Sequence, residues 1–265
     1  MHERLTIVSV YGHSDGACAI PALLTSLGQL PGSRGLLLSL RRPTNLPDSI
    51  VWRAIQPLNY LQYSVFVIHC LYSFIDTDFC LVVQDDGWVI NGGNFLEAYY
   101  EYDYIGAPCH AAIIGDQLVQ GFGWTQTPSA TVIQNGGLSL RSRRFLEAPN
   151  RHGFAYLPET RAPLFNEDIQ LTGTLRPALE AAGIRFAPLE IARNFAVEYL
   201  GPGFHDSLDF SRLVGHHARS RRLIAPYHVD VGLSQSQAAM IYREMEFLEH
   251  LSAIGYRLTF RPTVA

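Results

Sequence analysis

Three short apolar runs set the frame for this chain: "LTIVSVY" ahead of Gly12, "RGLLLSL" at 34–40 and "FCLVV" at 79–83. Runs of that length, bounded by turn residues, read as buried strands. The segments between them, "ACAIPALLTSLGQL" and "NYLQYSVFVIHCLYSFID", are long enough for helices. The second is apolar all round and is expected inside the core. Strand, helix, strand, helix, strand is the pattern of a mostly parallel sheet flanked by helices, an α/β fold. Ligands of such sheets gather at the carboxyl ends of the strands. The third run continues into "QDDG", which sets Asp85 and Asp86 side by side at one such end. Two adjacent carboxylates repel, and burying either without a partner is costly, so something positive is expected there.

Composition removes several chemistries. All 20 basic residues are Arg, and there is no Lys. That excludes a Schiff-base lysine, a pyridoxal-phosphate lysine and a Walker-type phosphate loop. A formal net charge of −4 argues against a whole-molecule polyanion binder. The four cysteines, Cys18, Cys70, Cys80 and Cys109, form no C-x-x-C pair and read as buried free thiols in a reducing compartment. "MHERLTIVSVYG" is charged early and does not read as a signal peptide, and the uncharged run 60–75 falls short of a membrane span. A cytoplasmic location is expected.

Further along, "YDYIGAP" reads as a strand and 110–131 as a long surface loop. "TVIQNGGLSLRSRRFLEA" reads as a strand, a glycine turn and a second run leading into a helix. "NEDIQLTGTLRPALEAAG" opens on a capping Asn166 and ends at Gly183, with a kink expected at Pro177. "IRFAPLEIARNFAVEY" reads as a late strand and turn. Residues 234–255 read as one amphipathic helix with Ala239, Tyr242, Met245, Leu248 and Leu251 near one face. His216 and His217, without a motif, read as surface residues. The arginines at 141, 143 and 144 and at 219, 221 and 222 either bind phosphates or form solvated faces.

"CLVVQDDGWVI", "YDYIGAP", "NGGLSLRSRRFLEA", "NEDIQL" and "GIRFAPLEIARNFAVE…GFH" together resemble, in that order, a bacterial family of glycosyltransferase-like proteins with the GT-A fold. The resemblance covers roughly residues 60–207, with "PGFH" standing where the family has F-G-F-H. It implies a catalytic domain over 1–207 and says nothing of 208–265, which the amphipathic pattern marks as a helical C-terminal extension expected to pack on the same domain. It also implies a nucleotide-diphosphate sugar donor, a UDP-sugar being the expected form, bound through Mn²⁺ or Mg²⁺. Asp86 would be the metal ligand, with Asp85 reaching the ribose or the ion and His205 as third ligand or diphosphate contact. Carboxylate oxygens suit those hard cations.

Asp168, with Glu167 as second choice, would be the general base of an inverting transfer to an acceptor hydroxyl, held ionised by the dipole of its helix. Tyr11 would stack the nucleotide base. Gln84 would join the donor contacts, and Asn135, Gly136 and Gly137 would offer either close backbone approach to the donor or a plain hairpin turn. A glycan or lipid-linked glycan is the favoured acceptor, with a modified DNA base as alternative. A binding module without turnover is the competing reading. A metal-dependent hydrolase built on Asp85, Asp86 and His205 has no matching motif spacing.

Overall fold

The computed structural model describes residues 2–115, 117–155 and 166–262. The chain runs β1 (Leu5–Tyr11), α1 (Ile20–Gln29), β2 (Arg34–Ser39), β3 (Ile50–Ala54), α2 (Tyr60–His69), β4 (Phe79–Val82), β5 (Gly87–Val89), β6 (Tyr104–Ile114), β7 (Gln117–Gln120) and β8 (Thr131–Ser142). It continues through α3 (Arg143–Arg151), α4 (Glu167–Ile169), α5 (Arg176–Ala181), α6 (Leu189–Phe195), β9 (Ala196–Val197), β10 (Gly215–His217), β11 (Arg221–Ala225) and β12 (His228–Val231). It closes with α7 (Gln235–Met240), α8 (Glu244–Ala253) and β13 (Arg257–Phe260).

The central sheet has seven strands in the order β3-β2-β1-β4-β8-β6-β7. The expected parallel character holds for only part of it. β3, β2, β1 and β4 are mutually parallel, whereas β8 runs antiparallel to β4 and β6, and β7 antiparallel to β6. Every residue of β1 is buried, and alternation divides its side chains between two cores. Leu5 and Ile7 pack with Leu23 of α1, Phe95 and Phe195, while Val8 and Val10 pack with Val67 of α2 and Phe145 of α3. A strand buried on both faces therefore needs no polar alternation, which is why the run is continuous.

Several local expectations are corrected. α2 stops at His69 and lies partly on the surface, with Tyr60 and Leu61 exposed. Residues 110–131 are not a loop: β6 extends to Ile114, followed by β7 and a 3₁₀ turn over Phe122–Gln126. The N-G-G segment is no hairpin turn either: β8 continues beyond it, but with a bulge, because the register against β6 shifts between Gln134, opposite Pro108, and Ser139, opposite Gly106. The segment after Asn166 is one turn of α-helix, then a π-helical turn over Gln170–Thr174, then α5 with Pro177 in its first turn, where the missing N–H is harmless. Residues 189–195 form a helix where a strand was expected.

The C-terminal region is a mixture of strands and helices. The helix expected over 234–255 breaks at Arg243, whose φ of 52° lies in the left-handed region, and the buried apolar residues of its two halves are Ala238, Phe247, Leu248 and Leu251. These join Trp88, Ile90, Val197, Leu213, Val229 and Ala22 in one apolar cluster. β10 pairs with both β5 and β9, and the Trp88 indole donates to the Tyr256 hydroxyl at 3.1 Å. All four cysteines are free, but Cys18 and Cys70 are exposed, contrary to expectation. Among the described residues no helix is long and apolar enough to cross a membrane.

Candidate functional site

β4 ends at Val82, and the chain turns back at once. Gln84 and Gly87 exchange backbone hydrogen bonds of 2.8 and 3.0 Å, which leaves Asp85 and Asp86 as the two residues of a tight turn. Both face the crevice where β1 and β4 part at the centre of the sheet, the place where such folds hold ligands. The Tyr11 hydroxyl, at the end of β1, donates to Asp85 Oδ1 at 2.6 Å across that crevice. Burial and the Asp85 charge push the Tyr11 hydroxyl far above its usual pKa, so it stays a donor.

The positive partners come from beyond residue 214. Arg222 Nη1 donates to Asp85 Oδ2 at 3.0 Å. His217 Nε2 lies 3.3 Å from Asp86 Oδ1 and 3.3 Å from Gln84 Oε1. The turn's carbonyls are held from the same segment: Ala218 N–H donates to Asp86 O at 2.8 Å and Leu223 N–H to Asp85 O at 2.7 Å. Burial alone would raise the Asp86 carboxyl and lower the His217 imidazole. The hydrogen bond and charge between them reverse both, leaving Asp86 below and His217 above the ordinary value. His216 is also buried, edge-on to Trp88, so neither histidine is a surface residue.

Two adjoining cavities share Tyr60, Tyr63, Gln84 and Asp86. The larger, about 470 Å³, extends along Tyr11, Gly12, His13 and Leu58 to Asp85 and Arg222. The smaller, about 160 Å³, is lined by Asp86, Asn135, Gly137, Glu167, Asp168, Glu198, His217 and Arg219. The glycines of the N-G-G segment exist for close approach. A methyl on Gly137 would overlap the His217 ring and come within 2.8 Å of Gln84 Oε1, and one on Gly136 would overlap the Glu167 carboxylate.

Asp168 accepts from its neighbour Ile169 N–H at 2.8 Å and, more weakly, from Gly136 N–H at 3.4 Å. Its helix is a single turn, and the dipole does not dominate. Burial, followed by the charges of Glu167 and Glu198, pushes the Asp168 carboxyl up to about 7, which corrects the expectation of a group held firmly ionised. Asn166 makes no side-chain cap; its Oδ1 accepts instead from the Tyr60 hydroxyl at 2.5 Å. Glu167 is 3.2 Å from Arg141 Nη2, whose guanidinium is fully buried and also reaches the Gly136 carbonyl.

His205 is displaced from its expected role. It is fully buried between Phe122 and Phe204, accepts from Gly201 N–H through Nδ1 at 3.0 Å, and lines neither cavity. Burial lowers its pKa to about 4. The arginine clusters divide as well: Arg143 pairs with Glu147 and Arg144 with Asp103, away from both cavities, while Arg219 and Arg222 line them. Glu198, His217 and Arg222 are the residues that motif reading misses. A buried acid pair demands a counter-charge, but nothing in the local pattern says which distant residue supplies it.

Among the described residues no group of three or more His, Cys, Asp or Glu side chains is arranged to hold a metal ion by itself. The set Asp86 Oδ1, His217 Nε2 and Gln84 Oε1 nevertheless fits a partial shell. Its 3.3 Å N···O separations are long for hydrogen bonds yet match the spacing of neighbouring ligands around an octahedral ion with arms of roughly 2.1–2.3 Å. Cations of this kind commonly take one or two protein carboxylates and complete their shell with water and phosphate.

No curated protein sequence matches the chain. Among solved structures it is similar to the galactosyltransferase LgtC in complex with donor and acceptor sugar analogues, at 12% identity over 98% of each chain with a TM-score of 0.47. It is also similar to an active-site mutant of LgtC, at 13% identity over 94% and 95% of the chains with a TM-score of 0.45. The glycosyltransferase GlyE of Streptococcus pneumoniae TIGR4 matches at 10% identity over 96% of this chain and 62% of that one, with a TM-score of 0.36. Likeness at this level transfers no residue roles. The model of one family matches residues 58–210, more than half of the chain, and the protein therefore belongs to that family, described as protein of unknown function (DUF5672).

Proposed function

We propose that the protein is a metal-dependent glycosyltransferase that moves a sugar from a nucleotide-diphosphate donor to a hydroxyl acceptor. The observation that carries this reading is the convergence of Asp86, His217 and Gln84 at the seam between a large cavity and a small acidic one. The larger cavity takes the nucleotide, with Tyr11 beside the base or ribose and Asp85 holding Arg222 in reach of phosphate. The smaller takes the sugar. Bound Mn²⁺ or Mg²⁺ would supply Lewis-acid neutralisation of the leaving diphosphate, held by Asp86 and His217 with Gln84 adjoining. His217 takes the place first given to His205.

Asp168 then acts as the base. A carboxyl poised near 7 can accept the acceptor hydroxyl's proton and still be largely ionised at slightly alkaline pH. Displacement from the face opposite the leaving group inverts the anomeric centre. Glu167 holds the turn through Arg141. The alternative, donor binding without turnover, leaves Asp168 with nothing to do. Donor hydrolysis and transfer by wild type, Asp86→Ala and Asp168→Ala test the proposal, with product configuration read by NMR. Activity lost in both variants with an inverted product supports it; a retained configuration removes Asp168 from this role.

A further inference from the structure

The smaller cavity has an unusual charge balance. Four carboxylates line it: Asp86, Glu167, Asp168 and Glu198. Facing them are one imidazole, His217, and one exposed guanidinium, Arg219, at the rim where solvent screens it. Arg141 answers Glu167 from behind. Glu198 has no guanidinium against its carboxylate: its Oε1 lies 3.8 Å from His217 Nδ1, the Cys109 thiol reaches the carboxylate as a weak donor, and neither Glu198 Oε2 nor His217 Nδ1 has a closer hydrogen-bond partner among the described residues. His217 is 91% buried, since only 9% of its surface is exposed, and its Nδ1 is a buried polar atom beside this cavity that a hydrogen-bonding group of a ligand would satisfy.

Glu198 is not there by accident of a loose loop. Its carbonyl accepts from Arg221 Nη2 at 2.9 Å, and Arg221 is fixed by Glu244 at 3.3 Å and by the face of Phe247. The residue follows β9, which pairs with the strand carrying His217. The Glu198 backbone is therefore anchored through Arg221 to the C-terminal helix α8, and its Oε2 is free to accept from a hydrogen-bond donor. Sugar hydroxyls donate. A uronate carboxylate at neutral pH only accepts, and it brings a further negative charge against Glu198 and its acidic neighbours.

We infer that the glycosyl group this cavity takes is uncharged and rich in hydroxyls, and that Glu198 is the residue that turns away a uronosyl donor. The inference rests on the donor reading above. It deepens that reading by naming the substrate class, and it gives a selectivity role to an acid that the transfer chemistry does not use. Rejection works here through an unmatched like charge in a buried site rather than through extra contacts to the accepted sugar.

Calorimetric titration of the full chain in the presence of Mn²⁺ with UDP, UDP-glucose and UDP-glucuronate tests it, because the two sugars differ only at C6. UDP-glucuronate is expected to bind at least about tenfold more weakly than UDP-glucose, with the gap shrinking by roughly threefold or more in Glu198→Gln. Equal affinities for the two sugars in the wild-type protein overturn the inference while leaving the donor reading intact. An unchanged gap in a folded Glu198→Gln protein, verified by its thermal melt, removes Glu198 from the role. If none of the three binds with Mn²⁺ present, the donor reading fails and takes the inference with it. The wild-type comparison decides the main point even if the variant does not fold.

Discussion

Two buried arginine–glutamate pairs brace the site from opposite sides, and they differ in what they hold. Arg141 and Glu167 lie 3.2 Å apart within the family-matched region, and Arg141 also reaches the Gly136 carbonyl. That pair touches the cavity wall itself. Arg221 and Glu244 lie 3.3 Å apart in the C-terminal region, and the Arg221 side chain meets the site's surroundings at the Glu198 backbone carbonyl rather than at a cavity-lining side chain. Buried pairs of this kind are weak evidence for stability, since apolar replacements often do as well. Their difference in reach therefore separates architecture from function.

The largest effect is expected from breaking either pair on one side. Arg221→Leu leaves Glu244 buried without its cation and should destabilise by about 3–5 kcal/mol in urea denaturation, and Arg141→Leu by a similar amount. Replacing both partners sharpens the contrast. Arg221→Met with Glu244→Leu should restore most of the stability and keep nucleotide binding. Arg141→Met with Glu167→Leu should recover stability but lose binding, because the Gly136 carbonyl and the turn before Asp168 lose their anchor. Equal binding in the two double variants would erase the distinction.

A methyl at Gly137 comes next. Gly137→Ala forces the His217 ring aside and is expected to lower stability by about 1–3 kcal/mol, with a larger loss in metal and nucleotide affinity. Asp168 supplies a pH signature. Its folded-state pKa, near 7, lies above the usual carboxylate value of about 4, so between those pH values the folded chain holds a proton that the unfolded chain has released. Stability from this group is present below about pH 4 and is lost as pH rises through 7. Asp168→Asn should flatten that slope in melts run from pH 4 to 8. The smallest change is Arg222→Ala. With its side chain 56% exposed, its pair with Asp85 should contribute no more than about 1 kcal/mol, so any sizeable defect must appear in phosphate binding instead.

The same divide describes what could be read from the chain. The apolar runs that become β1, β2 and β4 are buried on both faces, so their patterns carry the fold directly. Asp85 and Asp86 were legible as cavity-lining acids because two adjacent carboxylates at a strand end point to the crevice there. The N-G-G segment was visible but its reason was not: the glycines sit in a bulge of β8, small to admit Glu167 and His217 rather than to close a hairpin. Glu198, and the pairing of His217 and Arg222 with the acid turn, were illegible, because they depend on β9, β10 and β11 returning to the turn across more than a hundred residues. His205 misled for a related reason. Its position fitted a motif, but the rings of Phe122 and Phe204 enclose it and leave it no path to the cavities.

The central claim is that Asp86 and His217 together hold a divalent ion against a nucleotide diphosphate. Titrating Mn²⁺ into the protein with UDP present, followed by electron paramagnetic resonance, tests it most directly. The wild-type protein should take up one Mn²⁺ that Asp86→Ala and His217→Ala each fail to hold, while His205→Ala holds it as wild type does. Uptake that survives both the Asp86 and His217 replacements, or no uptake by the wild-type protein, would contradict the account.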